Sequence, residues 1–254
     1  MEAILSNTKL NFQYLGNRTT EGPLLLFLHE ALGSIGQWKD FPETLCNKLH
    51  LPGLIYERQG HGKSSPLNDK RQADYLHNYA LDELPAFLDS IDENRKLILV
   101  GHSDGGTIAL LFASAFPERV QNVITMAAHV INEAETIAGI APAVKAYESG
   151  KLDGLRKYHG EKTASLFYAW ADIWRSDAFE KWDITDKISE SHLSGLFVQG
   201  KDDQYGTRKQ LDLISENYKG PHELLFLENC GHHPHLEQPE VVMNAISEFI
   251  SSSL

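Results

Sequence analysis

Short apolar runs alternate with longer amphipathic stretches along most of this chain. Most of the runs are too hydrophobic to leave one face in water, which is typical of strands in a sheet covered on both faces. The predicted strands are Leu24–His29, Leu54–Tyr56, Lys96–Val100, Val120–Ala127, Leu193–Gln199 and Leu224–Leu227. Helical spacing occurs over Ser34–Leu49, Asp74–Ser90, Asp104–Phe116, Thr207–Asn217 and Gln238–Ile250. This order predicts an α/β protein with a mostly parallel central sheet, right-handed crossovers and helices on both faces.

Two segments depart from the alternation. The more polar Ala3–Leu15 predicts an antiparallel hairpin at an edge of the sheet. From about Ile131 to Trp182 no convincing strand occurs, whereas Glu133–Ser149 and Glu161–Trp174 have helical spacing and carry tyrosine and tryptophan. We therefore predict a helical cap inserted after the sixth strand and packed on the sheet. The predicted division is a core of residues 1–130 and 183–254 and a cap of residues 131–182.

Composition and charge limit the partners. A formal charge of −12 over 254 residues would repel nucleic acid and anionic membrane surfaces. We find neither a signal-peptide pattern nor an apolar run near the roughly 18 residues that a membrane span needs, so we expect a soluble, cytoplasmic protein. Cys46 and Cys230 have no C-x-x-C spacing, which suits a reducing compartment. We expect a small-molecule substrate and a monomer or homodimer.

The densest chemical motif is Gly101-His102-Ser103-Asp104-Gly105, between a predicted strand and a predicted helix. A sharp strand-to-helix turn strains the residue at its corner and requires neighbours without side chains, which the glycines supply. This G-x-S-x-G spacing lifts the serine hydroxyl clear of the sheet edge, beside the free amides of a helix N-terminus. Ser103 is therefore the candidate nucleophile.

A serine needs a base to take its proton and a third group to orient that base. Both partners are expected later in the chain, in QGKDD after the penultimate strand and in CGHHPHLEQPE after the last strand. With LLLFLHEALGS, YERQGHGKS and GHSDGG, these segments resemble the α/β-hydrolase fold family, in the branch with a helical cap. The resemblance covers essentially the whole chain and implies a hydrolase that needs no cofactor.

The family spacing selects one residue in each turn. G-x-x-D places the acid at Asp203 rather than the adjacent Asp202, and G-H-x-P places the base at His232. A metal site formed by His232, His233 and His235 is the competing interpretation. It is disfavoured because no pair has the i, i+4 spacing of H-E-x-x-H and Pro234 interrupts any local helix. We predict no metal.

These residues predict acyl transfer to water. His232 would take the Ser103 proton and return it to the leaving group, while Asp203 would fix the imidazole tautomer and stabilise its charged form. One donor to the oxyanion is expected to be the backbone N–H of Asp104. The family resemblance implies that the second is the backbone N–H of Ala31.

The sequence departs from the family pattern at two positions. Glu30 replaces the glycine of the usual His-Gly pair, and Asp104 follows the serine. If both carboxylates reach the pocket, they favour a cationic or hydrogen-bond-donating substrate, and the GHSDGG elbow is similar to that of members acting on amino-acid esters. The alternative is structural: Glu30 binds backbone or an arginine, and Asp104 caps its helix.

Further residues are candidates for the substrate pocket. His129 follows a predicted strand at the carboxyl edge of the sheet, although a structural histidine is equally consistent with its position. The cap aromatics Tyr168, Trp170, Trp174 and Trp182 either line the acyl pocket or form the core of the cap.

Two classes of function fit these motifs. The first is a serine hydrolase acting on a small ester, lactone, thioester or amino-acid ester, with carbon–carbon bond hydrolysis as an alternative on the same residues. The second is a receptor-like member of the family that binds a ligand with little turnover. An intact Ser103, Asp203 and His232 set favours the enzyme.

Overall fold

Residues 1–253, which the computed structural model describes, contain one eight-stranded sheet. Its strands are β1 (Glu2–Leu5), β2 (Thr8–Leu15), β3 (Leu24–Leu28), β4 (Gly53–Glu57), β5 (Leu97–His102), β6 (Val120–Met126), β7 (Ser194–Gly200) and β8 (His222–Leu227). Their order across the sheet is β1-β2-β4-β3-β5-β6-β7-β8. β2 pairs antiparallel with β1 and β4, and all other pairs are parallel. The predicted strands and the N-terminal hairpin are thus confirmed.

Side chains of the central strands alternate between two apolar clusters. Leu24, Leu26 and Leu28 belong to one cluster, whereas Leu25 and Phe27 belong to the other. Successive residues of a strand point to opposite faces, so an uninterrupted apolar run requires cover on both sides. The five residues of β3 are accordingly all buried.

Helices supply that cover. They are α1 (Phe41–Leu49), α2 (Tyr75–Asn78), α3 (Leu84–Ser90), α4 (Asp104–Ala115), α5 (Ala134–Glu148), α6 (Arg156–His159), α7 (Thr163–Trp174), α8 (Thr185–Ile188), α9 (Arg208–Asn217), α10 (Pro234–Glu237) and α11 (Pro239–Ser253). Residues of α1 and α11 belong to the cluster that contains Leu25, and residues of α3, α4 and α9 belong to the other cluster. The predicted helices on both faces are confirmed.

The helix predicted over Ser34–Leu49 is interrupted. A short 3₁₀ turn spans Ile35–Trp38, Lys39 then adopts a φ of 55°, and α1 begins at Phe41. Pro42 explains the restart, because proline is favoured in the first turn of a helix, where its missing N–H has no intrahelical partner.

Between β6 and β7 the regular structure is helical, from α5 to α8. An isolated antiparallel bridge joins Ile131 to Asp183 at the two ends of this segment. Phe167, Trp174 and Trp182 share one apolar cluster with the sheet, so the segment packs on the sheet. The domain boundaries at 131 and 182 stay a prediction.

None of the helices in residues 1–253 is long and apolar enough to cross a membrane.

Candidate active site

Ser103 occupies a strand-to-helix corner. β5 ends at His102 and α4 begins at Asp104, so Ser103 alone makes the turn, with φ 53° and ψ −120°. Such a conformation costs on the order of 1–3 kcal/mol for a residue with a Cβ and persists only where its surroundings enforce it. Here the Ser103 amide donates to Met126 O (2.9 Å), and the Gly106 amide donates to Ser103 O (2.8 Å).

The glycines of the motif allow the corner to close. A Cβ on Gly101 would lie 2.3 Å from Gly105 O, and a Cβ on Gly105 would lie 1.9 Å from Leu28 O. Both contacts are with backbone atoms, which cannot rotate away. The spacing therefore reflects the close approach of α4 to β5 and β3.

Ser103, Asp203 and His232 form one hydrogen-bonded chain. His232 Nε2 lies 3.0 Å from Ser103 Oγ, and His232 Nδ1 lies 2.9 and 2.8 Å from the two carboxylate oxygens of Asp203. The three residues follow β5, β7 and β8, whose carboxyl ends meet at the same edge of the sheet. All three side chains are buried, with Ser103 and His232 each 6% exposed.

Asp203 is held as an anion. Gln199 Nε2 donates to Asp203 Oδ2 (2.6 Å), and the Tyr205 amide donates to Asp203 Oδ1 (2.8 Å). Burial raises the pKa of Asp203, but the charge and hydrogen bond of His232 and the Tyr205 amide outweigh it and hold the pKa at about 2. Asp202, the alternative acid, has an exposed side chain.

His232 is suited to accept a proton. The ionised Asp203 can only accept hydrogen bonds, so His232 Nδ1 carries the ring proton and Nε2 presents its lone pair to Ser103. Burial lowers the pKa of His232, but attraction to Asp203 raises it by more, above the ordinary histidine value. The geometry therefore fits a general base that becomes a stable imidazolium.

The other histidines of the turn lie in different environments. His235 is buried with its ring 4.7 Å from that of Trp38, and burial holds its pKa well below the usual range. His233 lines the cavity beside Ser103. In residues 1–253 no three His, Cys, Asp or Glu side chains have the arrangement of a metal site.

Two backbone amides beside the cavity of Ser103 donate no hydrogen bond to any described residue. Within residues 1–253 neither the Ala31 nor the Asp104 amide donates a hydrogen bond, and both residues line the same cavity as Ser103. The Asp104 amide opens α4, where the helix dipole favours negative charge. The two amides are thus available to an oxygen bound at Ser103.

The cavity beside Ser103 has a volume of about 210 Å³. Its polar side chains include Glu30, Asp104, His129, His232 and His233. Its apolar wall comprises Leu32, Ala143, Leu152, Leu155, Trp170 and Trp174. A largely apolar cavity with a few polar groups at one end suits a small molecule that is held by shape and oriented by hydrogen bonds.

Tyr168 does not line this cavity, contrary to the prediction. It is 37% exposed, and its ring packs edge-on against Tyr147 at a centroid distance of 5.6 Å. Trp170 and Trp174 are four residues apart in α7 and share the face toward the cavity, whereas Tyr168 is two residues from Trp170 and lies on another face. Trp182 packs against Phe179 in the cap core.

Asp104 accepts a hydrogen bond from outside the elbow. Tyr75 Oη donates to Asp104 Oδ2 (2.9 Å), and Trp174 Nε1 donates to Tyr75 Oη (2.7 Å). The Arg71 guanidinium lies over the Tyr75 ring, 4.6 Å from its centroid. Asp104 is therefore a buried carboxylate at the start of α4 with a tyrosine donor and a cation beyond that tyrosine.

Glu30 places a second carboxylate at the cavity. Its Oε2 lies 3.6 Å from His102 Nδ1, beyond hydrogen-bond distance but within range of an ion pair. Burial opposes ionisation, yet the nearby His102, His29 and His233 hold the pKa of Glu30 well below its usual range. Arg58 contacts the carbonyl oxygen of Glu30 rather than its carboxylate.

His129 faces the cavity and the base. Its Nε2 donates to Tyr205 O (3.0 Å), and its ring centroid lies 6.0 Å from that of His232. Burial and the His232 charge lower the pKa of His129. It therefore stays neutral at neutral pH.

Tyr205 and Tyr75 are among the side chains of the site that were not predicted. Tyr205 packs edge-on against His232 at a centroid distance of 4.8 Å, and its position two residues after Asp203 was an available signal. Tyr75 reaches Asp104 from α2, and no sequence pattern links these two positions.

Comparison with known proteins gives the family. A sequence model described as the alpha/beta hydrolase fold matches residues 23–170. A proline iminopeptidase of Saccharolobus solfataricus is 23% identical over 78% of this chain and 75% of its own length. A pimeloyl-[acyl-carrier protein] methyl ester esterase of Aeromonas hydrophila is 25% identical over 92% of this chain and 97% of its own length.

Solved structures show the same fold. The enol-lactonase from Burkholderia xenovorans LB400 superposes with a TM-score of 0.79 at 15% identity, over 99% of this chain and all of the other. The sheet order, the elbow and the sequence match agree, and this chain belongs to the alpha/beta hydrolase fold family.

Proposed function

We propose that this protein is a serine hydrolase that cleaves a small, largely apolar ester, thioester or lactone through a covalent acyl-enzyme. The observation that carries the proposal is the continuous hydrogen-bonded chain from Ser103 through His232 to Asp203, at a cavity with two free amides. Each part matches a requirement of acyl transfer: a nucleophile, an oriented base and donors for the developing oxyanion.

In the acylation step, Ser103 Oγ attacks the substrate carbonyl and transfers its proton to His232 Nε2. The carbonyl oxygen gains negative charge and accepts from the Ala31 and Asp104 amides. The tetrahedral intermediate then collapses: the bond to the leaving group breaks, and His232 protonates the departing oxygen or sulfur. Asp203 stabilises the imidazolium throughout because it stays ionised.

Deacylation repeats the sequence with water. His232 takes a proton from the water as its oxygen attacks the acyl carbon, and returns a proton to Ser103 Oγ as the acyl-enzyme bond breaks. The products are a carboxylic acid and the regenerated serine.

The cavity limits the substrate. Drug-sized ligands occupy pockets of about 300–1,000 Å³, so a cavity of about 210 Å³ suits a shorter acyl or alcohol group. Leu152, Leu155 and Trp170 offer apolar contact but no charge. We propose a small apolar acyl chain on this side of Ser103.

The carboxylates at the cavity favour a more specific proposal for the substrate. Glu30 and Asp104 put two carboxylates in the cavity that contains Ser103, and carboxylates attract an amino group and repel an anion. We propose a preference for a substrate with a cationic or hydrogen-bond-donating group next to the acyl carbon, as in an amino-acid ester.

Intact-mass analysis after exposure to an alkyl fluorophosphonate tests the enzyme proposal. The phosphorus probe reacts with an activated serine and loses fluoride, so we expect one adduct, mapped to Ser103 by peptide analysis. Ser103→Ala should give none, and His232→Ala should slow labelling strongly. Ser114, a half-buried serine of α4 whose hydroxyl donates to Leu110 O, provides the matched Ser114→Ala control, which should label normally.

A folded wild-type protein without an adduct would contradict the proposal and favour a receptor-like role. Label without turnover of small esters would favour the carbon–carbon bond hydrolase alternative.

A further inference from the structure

The oxyanion loop, residues 29–33, has one backbone oxygen with three donors. Glu30 O accepts from Arg58 Nη2 (2.9 Å), from His29 Nδ1 (2.8 Å) and from the Gly33 amide (3.1 Å). The second guanidinium nitrogen, Arg58 Nη1, donates to the preceding carbonyl, His29 O (2.5 Å). One arginine therefore bridges two successive carbonyls of this loop.

Arg58 is a fully buried cation whose nearest polar partners are backbone carbonyls. It is 0% exposed, and none of the ion pairs found in residues 1–253 includes it. Glu83 attracts Arg58 electrostatically but forms no ion-pair contact with it, and Glu83 Oε2 accepts from the Gln59 amide. Burying a charge without a directly paired carboxylate is costly, and the two backbone carbonyls supply the direct hydrogen bonds to this guanidinium.

His29 supports the same carbonyl as a neutral donor. The Arg58 amide donates to His29 Nε2 (3.2 Å), so the ring proton is on Nδ1, which points to Glu30 O. Burial and the Arg58 charge lower the pKa of His29 well below its usual range, which keeps this tautomer uncharged.

The carbonyl of Glu30 and the amide of Ala31 belong to one peptide plane. In a trans peptide the C=O and N–H bonds point in opposite directions, so holding Glu30 O on one side aims the Ala31 N–H at the other. Ala31 lines the cavity that contains Ser103, so a fixed Glu30 O would turn the Ala31 N–H toward that cavity. Donors on a peptide oxygen also polarise the peptide and strengthen its N–H as a donor.

We propose that Arg58 is a positioning residue for the oxyanion site: its guanidinium aims and strengthens the Ala31 amide by binding Glu30 O. The inference rests on the serine hydrolase proposed above. The other amide, that of Asp104, is fixed by α4, whereas Ala31 lies outside regular structure and depends on side chains. Two further histidines contact the next carbonyls: His61 Nε2 lies 3.0 Å from Ala31 O, and His159 Nε2 donates to Leu32 O (2.9 Å).

Arg58→Lys tests the proposal, because lysine keeps the charge but cannot bridge two carbonyls. We expect kcat for a small ester to fall about 10- to 100-fold, less than the loss of a whole oxyanion donor, with KM within about threefold. Affinity for a small alkylboronic acid, which forms a tetrahedral adduct with Ser103, should fall by the same factor as kcat. Arg119, which donates to Glu93 O and pairs with Asp89, provides the control Arg119→Lys, which should leave all three values unchanged.

A merely structural arginine would give a different result. Unchanged kcat in Arg58→Lys, or a loss that matches the loss of folded protein measured by thermal unfolding, would overturn the proposal. If Arg58→Lys does not fold, His29→Phe keeps an aromatic ring but removes another donor from the same carbonyl, and it is judged by the same criteria. If wild-type protein neither hydrolyses esters nor reacts with a fluorophosphonate, the proposed function fails and this inference fails with it. If the wild type is labelled by the fluorophosphonate but the variants keep its kcat, this inference alone is refuted.

Discussion

At the residue scale, the hydrogen bond between His232 and Asp203 is expected to set the pH range of the proposed activity. His232 must be neutral to take the Ser103 proton, and Asp203 raises its pKa above the ordinary value of about 6.5. We therefore expect kcat/KM to fall as the pH drops through a pKa above that value. Asp203→Asn removes the attraction, so the acidic limb should move to lower pH while the rate falls by about 10⁴-fold.

Asp202→Asn is the matched control for this profile, since Asp202 is adjacent in sequence but exposed. Its profile should follow the wild type. If the acidic limb of the kcat/KM profile stays at the same pH in Asp203→Asn, the titrating group is not His232.

The charge of Asp104 is predicted to select the substrate. Asp104→Asn keeps an oxygen that can accept from Tyr75 Oη but removes the negative charge. In this variant we expect kcat/KM for an α-amino ester to fall about tenfold or more relative to kcat/KM for its des-amino analogue. A tenfold change corresponds to about 1.4 kcal/mol of transition-state stabilisation. Equal losses on the two esters would rule out charge selection.

Tyr75→Phe is the companion variant, because it deletes the hydrogen bond and keeps the carboxylate. It should retain the preference for the amino ester. Kinetics with both esters on both variants separate the charge of Asp104 from its orientation.

Most of the candidate catalytic residues were predictable at this scale because the chemistry restricts their spacing. G-x-S-x-G identified Ser103, and the family spacings separated Asp203 and His232 from their neighbours, as the hydrogen bonds now require. Tyr168 was misplaced because helical spacing alone does not show which face of α7 meets the cavity. Arg58 and Tyr75 act through tertiary contacts, to Glu30 O and to Asp104 respectively, which no local pattern encodes.

At the element scale, the approach of α4 to β3 depends on a missing side chain. Gly105→Ala would place a Cβ 1.9 Å from Leu28 O and force the helix away from the strand that leads into the oxyanion loop. We expect the free energy of unfolding to fall by about 3 kcal/mol or more, as in severe overpacking, and ester turnover to be lost. Urea denaturation measures the free energy of unfolding, and an ester assay measures turnover.

Gly154→Ala is the control, because nothing lies within 4 Å of the Cβ it would add and no positive φ occurs there. Its free energy of unfolding should stay within about 1 kcal/mol of the wild type. A similar loss in both variants would mean that glycine substitution in general, and not the β3–α4 contact, destabilises the protein.

Strands were predicted more accurately than helix boundaries. Uninterrupted apolar runs such as Leu24–Leu28 occur only where both faces are covered, so their position in the sheet followed directly. Helical spacing continued across Lys39, where the chain turns, because periodicity registers apolar positions and not the backbone angles between them. Pro42 was the local signal of the restart.

At the scale of the whole molecule, the apolar cluster of the cap is continuous with that of the sheet. Ile140, Phe167 and Trp174 share one cluster with Leu24 and Leu26. The sequence predicted a helical insertion from its lack of strands. It could not predict which face of α7 would meet the cavity, because that orientation is set by packing between parts of the chain far apart in sequence.

The long distance along the chain between the residues of the candidate site also affects how the protein folds. Ser103 and His232 are 129 residues apart, and His232 follows β8, the last strand along the chain and one edge of the sheet. Contacts between distant parts of a chain form late and slowly, since a long loop must close before they stabilise anything. The proposed nucleophile and its proposed base are therefore expected to meet only when the final strand has docked. A nascent or partly unfolded chain would have the serine but lack the group that activates it.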